Sequence, residues 1–157
     1  MFFPKLFIQV FLPEFSKLFG EGAKKKIVQI FKQTFFILFL FSLVTCLILL
    51  FLSDRILMLF GQDFSGGSTI LKIILPSLFI RMISIPCNAF LSGTKYILIP
   101  NIGGIIILLV SSFSWFLLVP NYHGLGIAMG YSLGITIGIG YQIVASIFKL
   151  KSFMSSI

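Results

Sequence analysis

An arginine in the middle of an apolar run is the residue whose type and position best suit chemistry in this sequence. Arg81 stands eleven residues after Ile70 and ten before Leu91. A central Arg costs roughly 2.5–3.5 kcal/mol on membrane-insertion scales, whereas each Leu, Ile or Phe returns only ~0.3–0.6 kcal/mol. We therefore expect Arg81 to face a bundle interior or a wet cavity, either paired with a carbonyl or an acid or contacting an anionic molecule. Asn88, in the same run, is the second candidate for a cavity residue.

Side chains that could perform catalysis are few. The chain has four acidic residues and one histidine, and no two acids stand at a useful spacing, so acid–base or metal chemistry is hard to assemble. His123 lies beside Gly124 in a predicted loop, where we expect it to cap a helix or to face solvent. Cys46 and Cys87 each lie inside an apolar run without a CxxC pair, which favours small buried hydrophobic residues over disulfide or metal roles. The sequence therefore predicts no enzyme, no metal site and no cofactor.

Glycines recur every four residues near the C-terminus. This spacing places them along one stripe of a helix, where a neighbouring backbone can approach closely. Gly103 and Gly104 are candidates for the opposing surface. The stripe has two interpretations that the spacing alone does not separate, namely static helix packing or a smooth track along which helices slide or bend. The stripe consists of Gly126, Gly130, Gly134 and Gly138.

The elements that must position these residues are long apolar segments. The composition is 58% hydrophobic and only 10% charged, with a mean hydropathy of +1.12. Soluble domains are about 25% charged, and a chain of this size cannot hide so much apolar surface in one aqueous core. Crossing a bilayer takes about 20 apolar residues per helix. We therefore predict an all-α integral membrane protein with about four transmembrane helices, at residues 35–52, 70–91, 97–119 and 125–148.

The first nineteen residues allow two interpretations. Phenylalanines recur every four residues from Phe3 to Phe19, which places them on one helical face. Pro13 lies within this pattern and is expected to kink or restart the helix. The segment before Pro13 is too short to span a membrane by itself. Residues 1–19 are therefore predicted to be an interfacial helix or the remnant of a preceding span.

Lysines predict the orientation of the spans. If the four spans alternate in direction, seven lysines fall on one side of the membrane. On the other side, the positive charges of Arg55 and Lys72 are balanced by the negative charges of Asp54 and Asp63. The positive-inside rule places the lysine-rich side, and with it the C-terminus, in the cytoplasm. The formal charge of +8 is explained by these loops, and no nucleic-acid motif accompanies it. The seven are Lys24, Lys25, Lys26, Lys32, Lys95, Lys149 and Lys151.

Several elements, in order along the chain, resemble polysaccharide flippases of the O-antigen and teichoic-acid type. Residues 13–22, PEFSKLFGEG, resemble the Pro-x-x-Ser-x-Leu-x-x-x-Gly element of that family, and a Lys-rich helix follows them. Residues 59–64 and 70–74 resemble its outer loop and the next span, and residues 93–96 its next short loop. Residues 119–128, VPNYHGLGIA, resemble its Ile-Pro-x-Tyr-Gly-x-x-Gly-Ala-Ala element, with His123 inserted before Gly124.

This resemblance implies the C-terminal region of a two-lobed transporter in the multidrug/oligosaccharidyl-lipid/polysaccharide exporter superfamily. Residues 1–157 would then form part of the C-terminal lobe, and the N-terminal lobe would be absent. The chain would be a fragment, one half of a split gene or the product of an internal start. The implied partners are the bilayer of the cytoplasmic membrane, a lipid-linked glycan and the missing lobe. Two alternatives remain, a cation-coupled multidrug-type exporter and a small accessory or structural subunit of four helices.

Overall fold

Four helices build almost all of the described chain. The computed structural model describes the backbone of residues 3–59 and 67–154 and the side chains of residues 11–59 and 67–152. Three of the helices are long and apolar enough to cross a membrane. The prediction of an all-α membrane protein is therefore confirmed. The helices are α1 (Phe3–Gly20), α2 (Lys24–Met58), α3 (Gly67–Gly93) and α4 (Leu98–Met154).

The helix α4 contains both of the last two predicted spans and reverses direction between them. Its backbone leaves the helical region at His123, where φ is 46° and ψ is −120°. The indole nitrogen of Trp115 donates a hydrogen bond to the Ile127 carbonyl (3.0 Å), and the Gln142 amide nitrogen donates one to the Pro100 carbonyl (3.1 Å). The two parts, α4a (98–122) and α4b (124–154), therefore pack antiparallel. They match the predicted spans 97–119 and 125–148 and the loop predicted around His123.

The helix α3 is the centre of the bundle and contacts each of the other three helices. It runs antiparallel to α2, because Phe31 near the start of α2 packs edge-to-face on Phe90 near the end of α3, at 5.7 Å. Further along, the Ser42 hydroxyl donates a hydrogen bond to the Phe79 carbonyl (3.3 Å). The predicted spans 35–52 and 70–91 lie within α2 and α3. The turn-forming residue types of 92–95 (SGTK) predict a tight loop there. The observed turn lies two residues later, at 94–97, because α3 continues to Gly93.

A glycine joins α1 to α2. Gly22 has a φ of 67°, which suits a residue without Cβ. The Ala23 N–H donates to the Leu18 carbonyl (3.0 Å) and the Gly22 N–H to the Phe19 carbonyl (3.2 Å), the pair of bonds that defines a Schellman motif. The helix α1 includes Pro13, so of the two expected effects of this proline the restart was wrong and the kink stays a prediction. The choice between an interfacial helix and a remnant span stays a prediction.

A cluster of buried apolar residues lies at the lysine-rich end of the bundle. It joins the end of α3 to α1, to the start of α2 and to the end of α4 through residues such as Phe15, Phe31, Phe90 and Leu150. Three of the lysine-bearing segments assigned to one side by the sequence therefore meet at one end. At the other end, Lys72 forms an ion pair with Asp54 (3.2 Å). The turn-forming residues at 63–68 (DFSGGS) predict a link between the spans 35–52 and 70–91, and most of this link lies outside the described residues.

Candidate functional site

Polar side chains line one face of α3 where it packs on α4b. Ser77, Arg81, Ser84 and Asn88 are spaced by four, three and four residues, which places them on the same helical face. We call this face and the α4b residues opposite it, Tyr131 and Ser132, the polar seam. Because α3 and α4b run in the same direction, the seam follows both helices through the apolar part of the bundle.

Arg81 is half-buried at the middle of the polar seam. Its Nη1 donates a hydrogen bond to the hydroxyl oxygen of Tyr131, at 3.3 Å. In the part of the chain that the structure describes, no carboxylate forms an ion pair with Arg81, since the pairs there are Lys17–Glu21 and Lys72–Asp54. Among the described residues, its partner is thus a hydroxyl group rather than a carbonyl or an acid, and the expected pairing with a carbonyl or an acid elsewhere in the assembly stays a prediction. A guanidinium carries five N–H donors, so one bond to a tyrosine leaves donors available to an anion.

The serine hydroxyls of the polar seam already donate hydrogen bonds to backbone carbonyls. Ser132 donates to the Ile73 carbonyl across the seam (2.8 Å), and Ser77 donates within α3 to the Ile74 carbonyl (2.7 Å). Pro76 lacks the N–H that would bond to the Lys72 carbonyl four residues earlier, and the two serine hydroxyls bond to the next two carbonyls along α3, those of Ile73 and Ile74. Arg81 is consequently the charged group that the seam presents.

Asn88 lies two turns beyond Arg81 on the same face. It is half-buried, and its amide forms no hydrogen bond with any residue that the structure describes. The structure thus brings the two cavity candidates of the sequence onto one face. Sequence reasoning missed Tyr131. Its signal would have been a polar-tipped aromatic side chain inside the glycine-rich last span, directly after Gly130.

The glycine stripe lies on the face of α4b that packs on α4a. A Cβ added to Gly126 would meet the Leu118 carbonyl oxygen at 2.5 Å, and one added to Gly138 would meet the Gly103 carbonyl oxygen at 2.7 Å. These positions allow the two backbones to approach more closely than any side chain would permit. This geometry describes packing, and it leaves the sliding interpretation a prediction.

The middle of the stripe is equally close to α4a. A Cβ at Gly130 would overlap the Trp115 indole, and one at Gly134 would overlap the Ser111 hydroxyl. On α4a, Gly103 lies under the Gln142 side chain, as expected for the opposing surface. Gly104 has nothing within 4 Å of an added Cβ, so the expectation that it also receives the stripe was wrong.

An apolar groove of about 210 Å³ lies between α2 and α3, on the side of α3 away from Arg81. Its lining offers almost no polar surface, so it cannot orient a charged group by hydrogen bonds. Among the described residues, the polar seam is thus the better candidate for contact with a charged substrate. The groove is lined by Leu43, Cys46, Leu47, Leu50, Leu75, Pro76 and Phe79.

Comparison with known proteins gives one result. The family model described as MatE matches residues 13–114, which include α2, α3 and the larger part of α4a. Arg81 and Asn88 lie inside the matched region, and Tyr131 lies after it. No curated protein and no solved structure matches the chain.

Proposed function

The chain belongs to the MatE family, whose members are membrane transporters of the multidrug/oligosaccharidyl-lipid/polysaccharide exporter superfamily rather than enzymes, and we propose that it transports lipid-linked glycans. The proposed substrate is a lipid-linked oligosaccharide or polysaccharide precursor, which crosses the cytoplasmic membrane by alternating access. Arg81 contacts the pyrophosphate that joins the lipid to the glycan, and Asn88 contacts the same substrate further along α3.

The environment of Arg81 carries this proposal. A guanidinium in the middle of an apolar helix is stable only where it has a partner or water. Its described partner is the neutral hydroxyl of Tyr131, so its positive charge is not cancelled by a described carboxylate. Guanidinium groups bind phosphates through two parallel N–H bonds, which makes a pyrophosphate a fitting counter-charge.

The resemblance to polysaccharide flippases supports the same substrate class, since the similar elements follow one another in the family's order. They are residues 13–22, 59–64, 70–74, 93–96 and 119–128. In this proposal the polar seam is one wall of a central cavity, and a second lobe supplies the opposite wall. The lysine-rich end faces the cytoplasm, following the positive-inside rule. The assignment of the polar seam as a cavity wall depends on the proposed substrate, whereas the orientation depends on the lysines alone.

The test is export of surface glycan by cells in which the gene encodes Arg81→Gln. This change removes the charge but keeps a hydrogen-bond donor near Tyr131. We expect export to fall at least tenfold while the amount of protein in the membrane stays unchanged. Lys32→Gln, which removes a cation from the lysine-rich end, is the matched control and should export normally.

The same cells also test the multidrug alternative, which would couple export of small cationic compounds to an ion gradient. Normal glycan export by Arg81→Gln would contradict the proposal. If Arg81→Gln exported glycan normally but failed to extrude cationic dyes, the multidrug function would replace the glycan function as the proposal. If both activities were intact, the accessory-subunit interpretation would gain support.

A further inference from the structure

At the lysine-rich end of the bundle, a lysine from the turn before α4 and a lysine near the end of α4 lie over the ring of one tyrosine. The ammonium nitrogen of Lys149 lies 5.0 Å from the centre of the Tyr96 ring, and that of Lys95 lies 5.6 Å from it. Both distances are within the range of a cation–π interaction. Lys95 belongs to the turn before α4 and Lys149 to its last turns, so the reversal of α4 at His123 brings them together.

The tyrosine that joins them is held in place. Tyr96 packs against the buried cluster at this end of the bundle. Its carbonyl accepts a hydrogen bond from the Ile99 N–H (3.0 Å), which fixes the turn between α3 and α4. Leu150, only 6% exposed, anchors the end of α4 next to Lys149. The residues next to the two lysines, Tyr96 and Leu150, are therefore anchored in the bundle, and both ammonium groups lie over the anchored Tyr96 ring.

Their charge has no described counter-charge. Neither Lys95 nor Lys149 forms an ion pair with a carboxylate among residues 11–59 and 67–152. Lys151 adds a further positive charge two residues after Lys149. A tyrosine with its ring against apolar residues and cations beside it is typical of the headgroup level of a membrane, where anionic lipid phosphates are the available counter-charge.

We infer that Lys95, Tyr96 and Lys149 form a binding site for the headgroup of an anionic phospholipid. The two ammonium groups contact the lipid phosphate, and the Tyr96 ring keeps them together. The acyl chains lie along exposed apolar residues beside the site, such as Ile97 and Phe148, which are 55% and 69% exposed. This site is independent of the glycan proposal, because it lies at the end of the bundle and does not use Arg81.

The test is native mass spectrometry of the purified full chain in detergent, titrated with phosphatidylglycerol and, separately, with phosphatidylcholine. We expect preferential retention of phosphatidylglycerol. The double variant Lys95→Gln/Lys149→Gln should lose roughly fivefold in affinity for each lysine removed, about twenty-five-fold in total. The matched control is Lys25→Gln/Lys26→Gln, which makes the same change in charge at exposed positions of the same end and should lose much less. Equal losses in the two double variants would contradict a specific site.

Two further measurements keep the inference testable if the double variant folds poorly. Tyr96→Phe keeps an aromatic ring and should retain the lipid, whereas Tyr96→Leu should weaken its binding. Inorganic phosphate at millimolar concentration should not displace phosphatidylglycerol. Displacement by phosphate, or equal binding of both lipids, would overturn the assignment of a lipid headgroup site.

Discussion

Gly93, the last residue of α3, lies directly against Phe15 of α1. A Cβ added to Gly93 would be 2.8 Å from the Cβ of Phe15 and 3.2 Å from the backbone oxygen of Leu12. The backbone of α1 therefore rests on the end of α3, and no side chain at position 93 fits between them. This contact explains how a segment that is not among the candidate membrane spans still joins the buried core.

We predict that Gly93→Ala loosens α1 from the bundle. Overpacking of a tight contact costs about 1–3 kcal/mol, so the melting temperature in detergent should fall. Cys87, fully buried in the same cluster, reports on the contact directly. In a Cys46→Ala background, a membrane-permeant maleimide should label Cys87 faster in Gly93→Ala than in the parent protein.

The control for this prediction is Gly20→Ala, since a Cβ at Gly20 has nothing within 4 Å. It should leave both the melting temperature and the labelling rate of Cys87 close to those of the parent protein. Unchanged labelling in Gly93→Ala would contradict the prediction, because it would mean that α1 shifts slightly to accommodate the methyl group and stays packed on α3.

The pair Gly134 and Gly140 tests the packing of the glycine stripe within a single helix. Gly134→Ala would drive a Cβ against the Ser111 hydroxyl and to 2.9 Å from the Ile107 carbonyl oxygen, whereas Gly140→Ala meets nothing within 4 Å. We expect Gly134→Ala to lower the unfolding free energy by about 1–3 kcal/mol. Gly140→Ala should be neutral or stabilise by up to ~1 kcal/mol, because alanine favours the helix.

Thermal unfolding in the same detergent, followed by circular dichroism, compares these two variants. Similar melting temperatures for both would contradict a tight contact between α4a and α4b. The comparison does not depend on transport, so it addresses static packing alone. A variant that unfolds normally but transports less would instead support helices that slide past each other.

The sequence was sufficient for the features that depend on local composition. Apolar length predicted the spans, and the helical period places the two cavity candidates, Arg81 and Asn88, on one face because they are seven residues apart. The partner of Arg81 could not be predicted in this way, because Tyr131 lies fifty residues later and reaches Arg81 only through the packing of α4b on α3. Gly104 shows the same limit, since adjacent glycines point to different faces and only Gly103 faces Gln142.

His123 is the residue at which the backbone reverses between α4a and α4b, and its conformation provides the last prediction. A φ of 46° is rare for a residue with a Cβ, and the ψ of −120° takes it outside the left-handed helical region. Such a conformation costs on the order of 1–3 kcal/mol for a non-glycine residue. His123→Gly should therefore raise the melting temperature by a few degrees, provided the reversal keeps its geometry.

The β-branched substitution His123→Val makes the opposite change, because its side chain restricts the backbone further. It should lower the melting temperature and weaken the packing of α4a on α4b. The Trp115 indole, which donates to the Ile127 carbonyl near the reversal, gives a spectroscopic signal for that packing. Trp115 is the single tryptophan of the chain. Its fluorescence emission should shift in His123→Val and stay unchanged in His123→Gly. If glycine destabilised the protein as much as valine, the histidine side chain itself would have to stabilise the turn.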